Sequence, residues 1–155
     1  VEAYKARYAA LRAENGDQSS PLYPGVRDLL ARLHAKDDRL LAIATGKSRR
    51  GLDALLDTLD LRHYFISAQC ADDHPSKPHP SMIMAALRDA GVEARQAAMI
   101  GDTTYDIDMG RAAGLTTIGV TWGYHPEALL AGADHLARDV AELETAIPLA
   151  LGGRT

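Results

Sequence analysis

Two carboxylates stand close together in Met99-Ile100-Gly101-Asp102-Thr103-Thr104-Tyr105-Asp106-Ile107. The apolar run from Ala97 to Ile100 fits a buried strand, and Gly101-Asp102 breaks it. The spacing predicts a helix from Asp106 to Ala113, closed by Gly114, a residue suited to the left-handed position after a helix. Asp102 and Asp106 therefore fall where a strand hands over to a helix, which is where open parallel sheets bind ligands. With neighbouring threonine hydroxyls, the pair suits a hard, oxygen-seeking cation such as magnesium. An aspartate after a strand equally serves as a helix cap or turn residue, and this segment alone does not choose between the two.

Two further strand ends collect polar groups. Thr45-Gly46-Lys47 follows the apolar run Leu40 to Ala44. A hydroxyl and open backbone N–H groups ahead of a helix make a site for an anion, phosphate above all; the plainer role for Thr45 is to cap that helix. Lys77 stands in Pro75-Ser76-Lys77-Pro78-His79-Pro80, where flanking prolines stiffen the loop. There it can place a point positive charge on a phosphate, or simply occupy a surface turn. Around these, His74 and His79 flank Lys77 and read as turn residues before metal ligands. Arg49 and Arg50 read as a solvated helix start that could touch an anionic substrate. Trp122 and Tyr124 could line an entrance or pack, and Cys70 reads as a small half-buried residue and not a nucleophile.

Regular elements must position these groups. Val26, Leu29, Leu30 and Leu33 follow the i, i+3, i+4, i+7 spacing of a core-facing helix. Leu40–Ala44 reads as a strand, Leu52 to Leu59 as a helix, and Tyr64–Ala68 as a strand. Cys70–Pro80 is a polar loop, and Ile83, Ala86, Leu87 and Ala90 form a helical stripe ended by Gly91. After the Asp102 segment, Thr116–Thr121 reads as a strand and Trp122-Gly123-Tyr124 as a loop. Glu127–Ala131 is a helical turn, His135–Arg138 a short strand and Val140–Leu149 a last helix. Strands alternating with helices through short connections predict an α/β fold, a Rossmann-like parallel sheet covered by helices on both faces. Tyr4, Tyr8 and Leu11 share one face at helical spacing, so residues 1–14 are expected to be helical, ended by Asn15-Gly16.

Bulk properties narrow the classes. The 155 residues suffice for one domain with a sizeable core, and 46% hydrophobic with 25% charged residues is ordinary for a globular chain. A formal net charge of -4 offers no basic footprint for nucleic acid or a membrane surface. The single cysteine precludes an internal disulfide and fits a reducing, cytoplasmic setting. No apolar run is long enough to span a bilayer.

Taken together, the three strand ends resemble the haloacid-dehalogenase-like (HAD) superfamily, in particular its phosphoglycolate-phosphatase-like members with a small helical cap. The stretches that carry the resemblance are Tyr23-Pro24-Gly25-Val26, Ile43-Ala44-Thr45-Gly46-Lys47, Ser76-Lys77-Pro78 and Ile100-Gly101-Asp102-Thr103-Thr104-Tyr105-Asp106-Ile107. Gly119-Val120-Thr121-Trp122-Gly123 and Ala133-Asp134-His135 add to it. It implies a HAD-like core over residues 21–151, a remnant of the helical cap and its return linker over 1–20, and a tail over 152–155. It implies a Mg2+-dependent phosphatase acting on a small phosphorylated metabolite. Thr45 and the Gly46 backbone would bind the phosphoryl group, and Lys77 would neutralise it. Asp102 would bind Mg2+, and Asp106 would complete the metal shell or hold Lys77. These are electrostatic and positioning roles, which dominate phosphoryl transfer. The alternative is a non-catalytic phosphate- or metal-binding α/β module.

One departure is large. The family's nucleophile lies in an Asp-x-Asp-Gly-Thr segment ending the first strand, and this sequence contains none. Asp37-Asp38 and Asp72-Asp73 sit in turns and do not replace it. The chain is therefore expected to be an N-terminally truncated enzyme, inactive as it stands. In the family that first strand is central, between the strands ending at Thr45 and Asp102. Losing it would forfeit about ten hydrogen bonds at about 1 kcal/mol each, which rivals the whole stability of a domain. The expected remedies are residues ahead of Val1, direct pairing of 40–45 with 97–102, or a strand from another chain. An unfilled sheet edge would favour a homo-oligomer.

Overall fold

A computed structural model describes residues 2–4, 23–75 and 77–152. Its strands are β1 (Glu2–Tyr4), β2 (Leu41–Ala44), β3 (Phe65–Gln69), β4 (Ala98–Gly101), β5 (Thr116–Val120) and β6 (His135–Ala137). Its helices are α1 (Val26–His34), α2 (Arg49–Thr58), α3 (Ser81–Ala90), α4 (Thr104–Ala112) and α5 (Val140–Ala150). Short 3-10 turns cover Arg62–Tyr64, Ala71–Asp73, Ala94–Gln96 and Glu127–Leu130. The strands form one sheet in the order β3-β2-β1-β4-β5-β6, every neighbouring pair parallel.

Side-chain alternation along the strands divides the core into two layers. Leu41 and Ile43, Ala98 and Ile100, and Ile118 and Val120 face a layer built with Val26, Leu29, Leu30 and Leu33 of α1, Leu52, Leu55 and Leu56 of α2, and Leu143 and Ile147 of α5. Ala44 and Met99 face the other way, onto Met82, Ile83 and Leu87 of α3 and Met109 of α4. The helical spacing in α1 and α2 thus becomes a buried stripe on one face, and that in α3 on the other. The helix ends follow local chemistry. Ser48, Thr103 and Asp139 cap α2, α4 and α5 by accepting backbone N–H bonds from Gly51, Asp106 and Glu142. Gly91 closes α3 at φ 71°, a conformation that costs a residue without a Cβ little.

The amino-terminal expectation needs correction. Glu2–Tyr4, expected in a cap-remnant helix, is a strand of the core sheet, and residues 5–20 lie outside the described residues. Glu2, Ala3 and Tyr4 pair with Leu41, Ala42 and Ile43 on one side and with Ala98, Met99 and Ile100 on the other. β2 and β4 therefore do not pair directly, and the open slot that pointed to a second chain is taken by β1. The smaller differences are shifts of element ends. α4 starts at Thr104, two residues before the expected Asp106, because the Thr103 hydroxyl caps it there.

Candidate active site

The described strands all run the same way, so their carboxyl ends gather on one side. Asp102 leaves β4 there, and Asp106 sits on the first turn of α4. Both are buried, at 2% and 0% exposure. Asp106 Oδ1 accepts a 2.6 Å bond from Lys77 Nζ. Its Oδ2 accepts from the Thr103 hydroxyl at 3.0 Å and the Asp102 amide at 3.3 Å. The pair is compact because Gly101 has no side chain; a Cβ there would lie 2.2 Å from Asp106 Cβ. The bond to Lys77 is the contact that one of the two roles offered for Asp106 calls for.

Asp102 is held from another direction, by the loop after β5. Tyr124 N–H donates to Asp102 Oδ2 at 2.8 Å, and His125 N–H donates to the Asp102 carbonyl at 3.1 Å. Thr104 N–H at the start of α4 donates to His125 Nδ1 at 3.0 Å. Gly123 allows the approach: a Cβ there would fall 2.3 Å from Asp102 Cβ and 2.4 Å from Oδ2. The sequence marks Gly123 only as part of a family-like stretch, and nothing in it marks His125.

Thr45 leaves β2, fully buried. Its amide donates to the Gln69 carbonyl at 3.0 Å, and its hydroxyl accepts from Lys47 N–H at 3.3 Å. The cap of α2 is Ser48, so Thr45 does not do that work. A Cβ on Gly46 would meet nothing within 4 Å, so the backbone is open on that side. Ala71 N–H donates to the Lys47 carbonyl at 3.0 Å, which ties this loop to the one bearing Lys77. β2 and β4 flank β1, which sets the Thr45 and Asp102 turns about 10 Å apart at the usual strand spacing.

The remaining candidates have structural partners. Arg49 Nη2 pairs with Asp73 at 3.2 Å, and its amide donates to Asp72 at 2.9 Å; Arg50 is exposed. His79 Nδ1 accepts the Ser81 amide at 3.1 Å, and His74 bridges Gln69 and Ser81. Trp122 stacks on Tyr23 with centroids 4.8 Å apart and packs against the main core, whereas Tyr124 is exposed. Cys70 is fully buried, more so than expected.

Among the described residues no group of three or more His, Cys, Asp or Glu side chains could hold a metal. Magnesium does not need one. It keeps several waters and binds one or two carboxylates, with substrate phosphate supplying further oxygens. Asp102, a buried carboxylate fixed by the Tyr124 amide, fits that demand. No helix among the described residues is long and apolar enough to cross a membrane.

A parallel α/β sheet with a threonine and a buried aspartate at two strand ends, and a part-buried lysine–carboxylate pair beside them, is an arrangement suited to handling phosphate. The family model for haloacid dehalogenase-like hydrolases matches residues 1–120, and the chain belongs to that family. It is 39% identical over 138 residues to "Probable phosphatase IndB" of Dickeya dadantii, covering 86% of this chain and 59% of that one. It is 35% identical over 129 residues to a phosphoglycolate phosphatase of Mesorhizobium japonicum, covering 77% of this chain and 56% of the relative. A haloacid dehalogenase-like family hydrolase of Streptococcus pneumoniae superposes with a TM-score of 0.72 at 28% identity, over 90% of this chain and 65% of that one. The chain thus spans somewhat over half the length of these two sequence relatives.

Proposed function

We propose that this site serves the Mg2+-dependent hydrolysis of small phosphate monoesters. The observation that carries the reading is the part-buried Lys77–Asp106 bond at 2.6 Å, next to Asp102 and on a loop tied to that of Thr45. Lys77 would neutralise the phosphoryl oxygens, and its bond to Asp106 aims it. Thr45 and the open Gly46 backbone would hold the phosphoryl group against it. Asp102 would hold Mg2+, which when bound supplies charge neutralisation at the phosphate. The names of the two sequence relatives, a phosphatase and a phosphoglycolate phosphatase, support the reaction class.

The sequence of this chain holds no Asp-x-Asp-Gly-Thr segment; the residues of β1 are Glu2, Ala3 and Tyr4. We therefore expect the chain itself to bind orthophosphate and Mg2+ without turnover. The second reading is a non-catalytic phosphate- or metal-binding module. Calorimetry with Mg2+ and orthophosphate, alongside phosphate release from 2-phosphoglycolate, tests both. Asp102→Asn should weaken Mg2+ binding at least about 10-fold, the low end for losing a metal's supporting groups. Absence of any phosphate or Mg2+ binding by the unaltered chain would overturn the assignment. Turnover by it would overturn the expected inactivity.

A further inference from the structure

His74 lies outside the groups proposed to bind phosphate, yet both of its ring nitrogens are engaged. Nδ1 is 2.6 Å from Ser81 Oγ, and Nε2 is 2.8 Å from Gln69 Oε1. The far end of the network sets the direction of each bond. The Asp89 carboxylate, an acceptor only, takes the Ser67 hydroxyl at 2.7 Å and Gln69 Nε2 at 3.0 Å. Gln69 Nε2 also donates to Ser67 Oγ at 2.8 Å. The Gln69 amide is therefore turned with its NH2 toward Asp89 and its carbonyl toward His74. A carbonyl oxygen cannot donate, so His74 Nε2 carries a proton. On the neutral ring Nδ1 is then the acceptor for the Ser81 hydroxyl. Donation runs in one direction, from Ser81 to His74 to Gln69 to Asp89.

This chain of bonds joins three pieces of the fold. Ser67 and Gln69 belong to β3, Ser81 and Asp89 to α3, and His74 to the loop between them. Lys77 lies on that loop between His74 and Ser81. Its side chain is 11% exposed where it meets Asp106. The His74 ring closes the base of the segment that carries Lys77, across β3 on one side and the first residue of α3 on the other.

We propose that His74 is a positioning residue for Lys77: a single Nε2-protonated imidazole that pins the loop and so keeps the ammonium at Asp106. The effect on phosphate affinity rests on the functional reading above; the tether itself does not. Without the ring, the Gln69 carbonyl and Ser81 hydroxyl lose their shared partner, and the loop that carries Lys77 loses its tie between β3 and α3.

Three measurements on the chain as it exists test this. Long-range 1H–15N correlation at pH 8 should show His74 as the Nε2–H tautomer; the Nδ1–H tautomer would overturn the proposal. Acylation of Lys77 by an amine-reactive ester, normalised to exposed Lys36, should rise at least about fivefold in His74→Ala, which loses two hydrogen bonds each worth about 1 kcal/mol. His74→Gln, whose amide can donate to Gln69 and accept from Ser81, should return it to within about twofold. Wild-type labelling in His74→Ala refutes the tether. If Trp122 fluorescence shows that His74→Ala has loosened globally, Ser81→Ala takes its place. That variant should also raise Lys77 labelling, and no rise would count against the proposal. Orthophosphate binding should weaken about 10-fold in His74→Ala and recover in His74→Gln. Should the unaltered chain bind no phosphate, the functional reading fails, while the tautomer and labelling results still decide the tether.

Discussion

Gly123→Ala is the substitution for which the structure makes the sharpest demand. The new Cβ would stand 2.3 Å from Asp102 Cβ and 2.4 Å from Asp102 Oδ2, where non-bonded carbons need about 3.5 Å. Asp102 or the loop must retreat by about 1 Å. The loop is anchored nearby, by Thr121 N–H on the Ala137 carbonyl at 3.1 Å, so the strain falls on the contacts with Asp102. The first loss is the 2.8 Å bond from Tyr124 N–H to the carboxylate, of a kind worth about 1.5–3 kcal/mol. The His125 N–H bond to the Asp102 carbonyl stretches with it. We expect a loss of about 2–3 kcal/mol, within the range for overpacking. For a chain of this size that is a fall in Tm of about 5–10 °C. Thermal and urea unfolding followed by circular dichroism measure it, and calorimetry should show weaker Mg2+ binding in the same variant. Gly46→Ala is the control: its Cβ meets nothing within 4 Å, and stability should change by no more than about 0.5 kcal/mol. A Gly123→Ala protein that melts within about 2 °C of wild type and binds Mg2+ unchanged would refute the claim that this glycine exists for Asp102.

Lys77→Met removes the ammonium from the buried Asp106 carboxylate, which keeps the Thr103 hydroxyl and the Asp102 amide. Stability in urea should fall by about 3 kcal/mol, the low end for breaking a buried pair, and adding Asp106→Asn should cost less than the two single losses together. Arg32 donates to both oxygens of Glu144 at 2.9 and 2.8 Å, joining α1 to α5, and this bond holds the Glu144 carboxyl below its ordinary value. A lowered carboxyl pKa stabilises the fold above the unfolded value and ceases to do so as pH falls through the folded one. Glu144→Gln should therefore cost stability at pH 7 and nothing well below the carboxylate range. The loss will be small because both partners are more than a third exposed; paired urea titrations at the two pH values check it.

Much of the core is legible in the spacing of apolar residues. Val26, Leu29, Leu30 and Leu33 announce one face of a helix because burial there repeats every turn, and α1 buries all four. β1 is not legible in the same way. Three residues are too few to display an alternation, and Tyr4 falls at helical spacing from Tyr8 and Leu11; its place comes from two strands far away in sequence. At the site, Asp102 stands out because a charged residue at the end of a buried strand needs a reason, and Asp106 and Lys77 because they fall in the segments that follow such strands. Gly123, His125 and His74 do not, since each acquires its role from a partner that only folding brings near. A serine one turn further on is enough to take the capping of α2 from Thr45, and composition alone does not rank the two.

The placement of β1 also bears on the order in which the sheet can assemble. Its neighbours lie about forty and about a hundred residues along the chain, and contacts over such distances form late because loop closure must come first. β2 with β3, and β4 with β5 and β6, are joined by shorter excursions and can mature as two separate halves. The seam between them closes only when Glu2–Tyr4 inserts, so the slowest amide protection in pulse-labelled refolding belongs at Leu41–Ile43 and Ala98–Ile100, on either side of that seam.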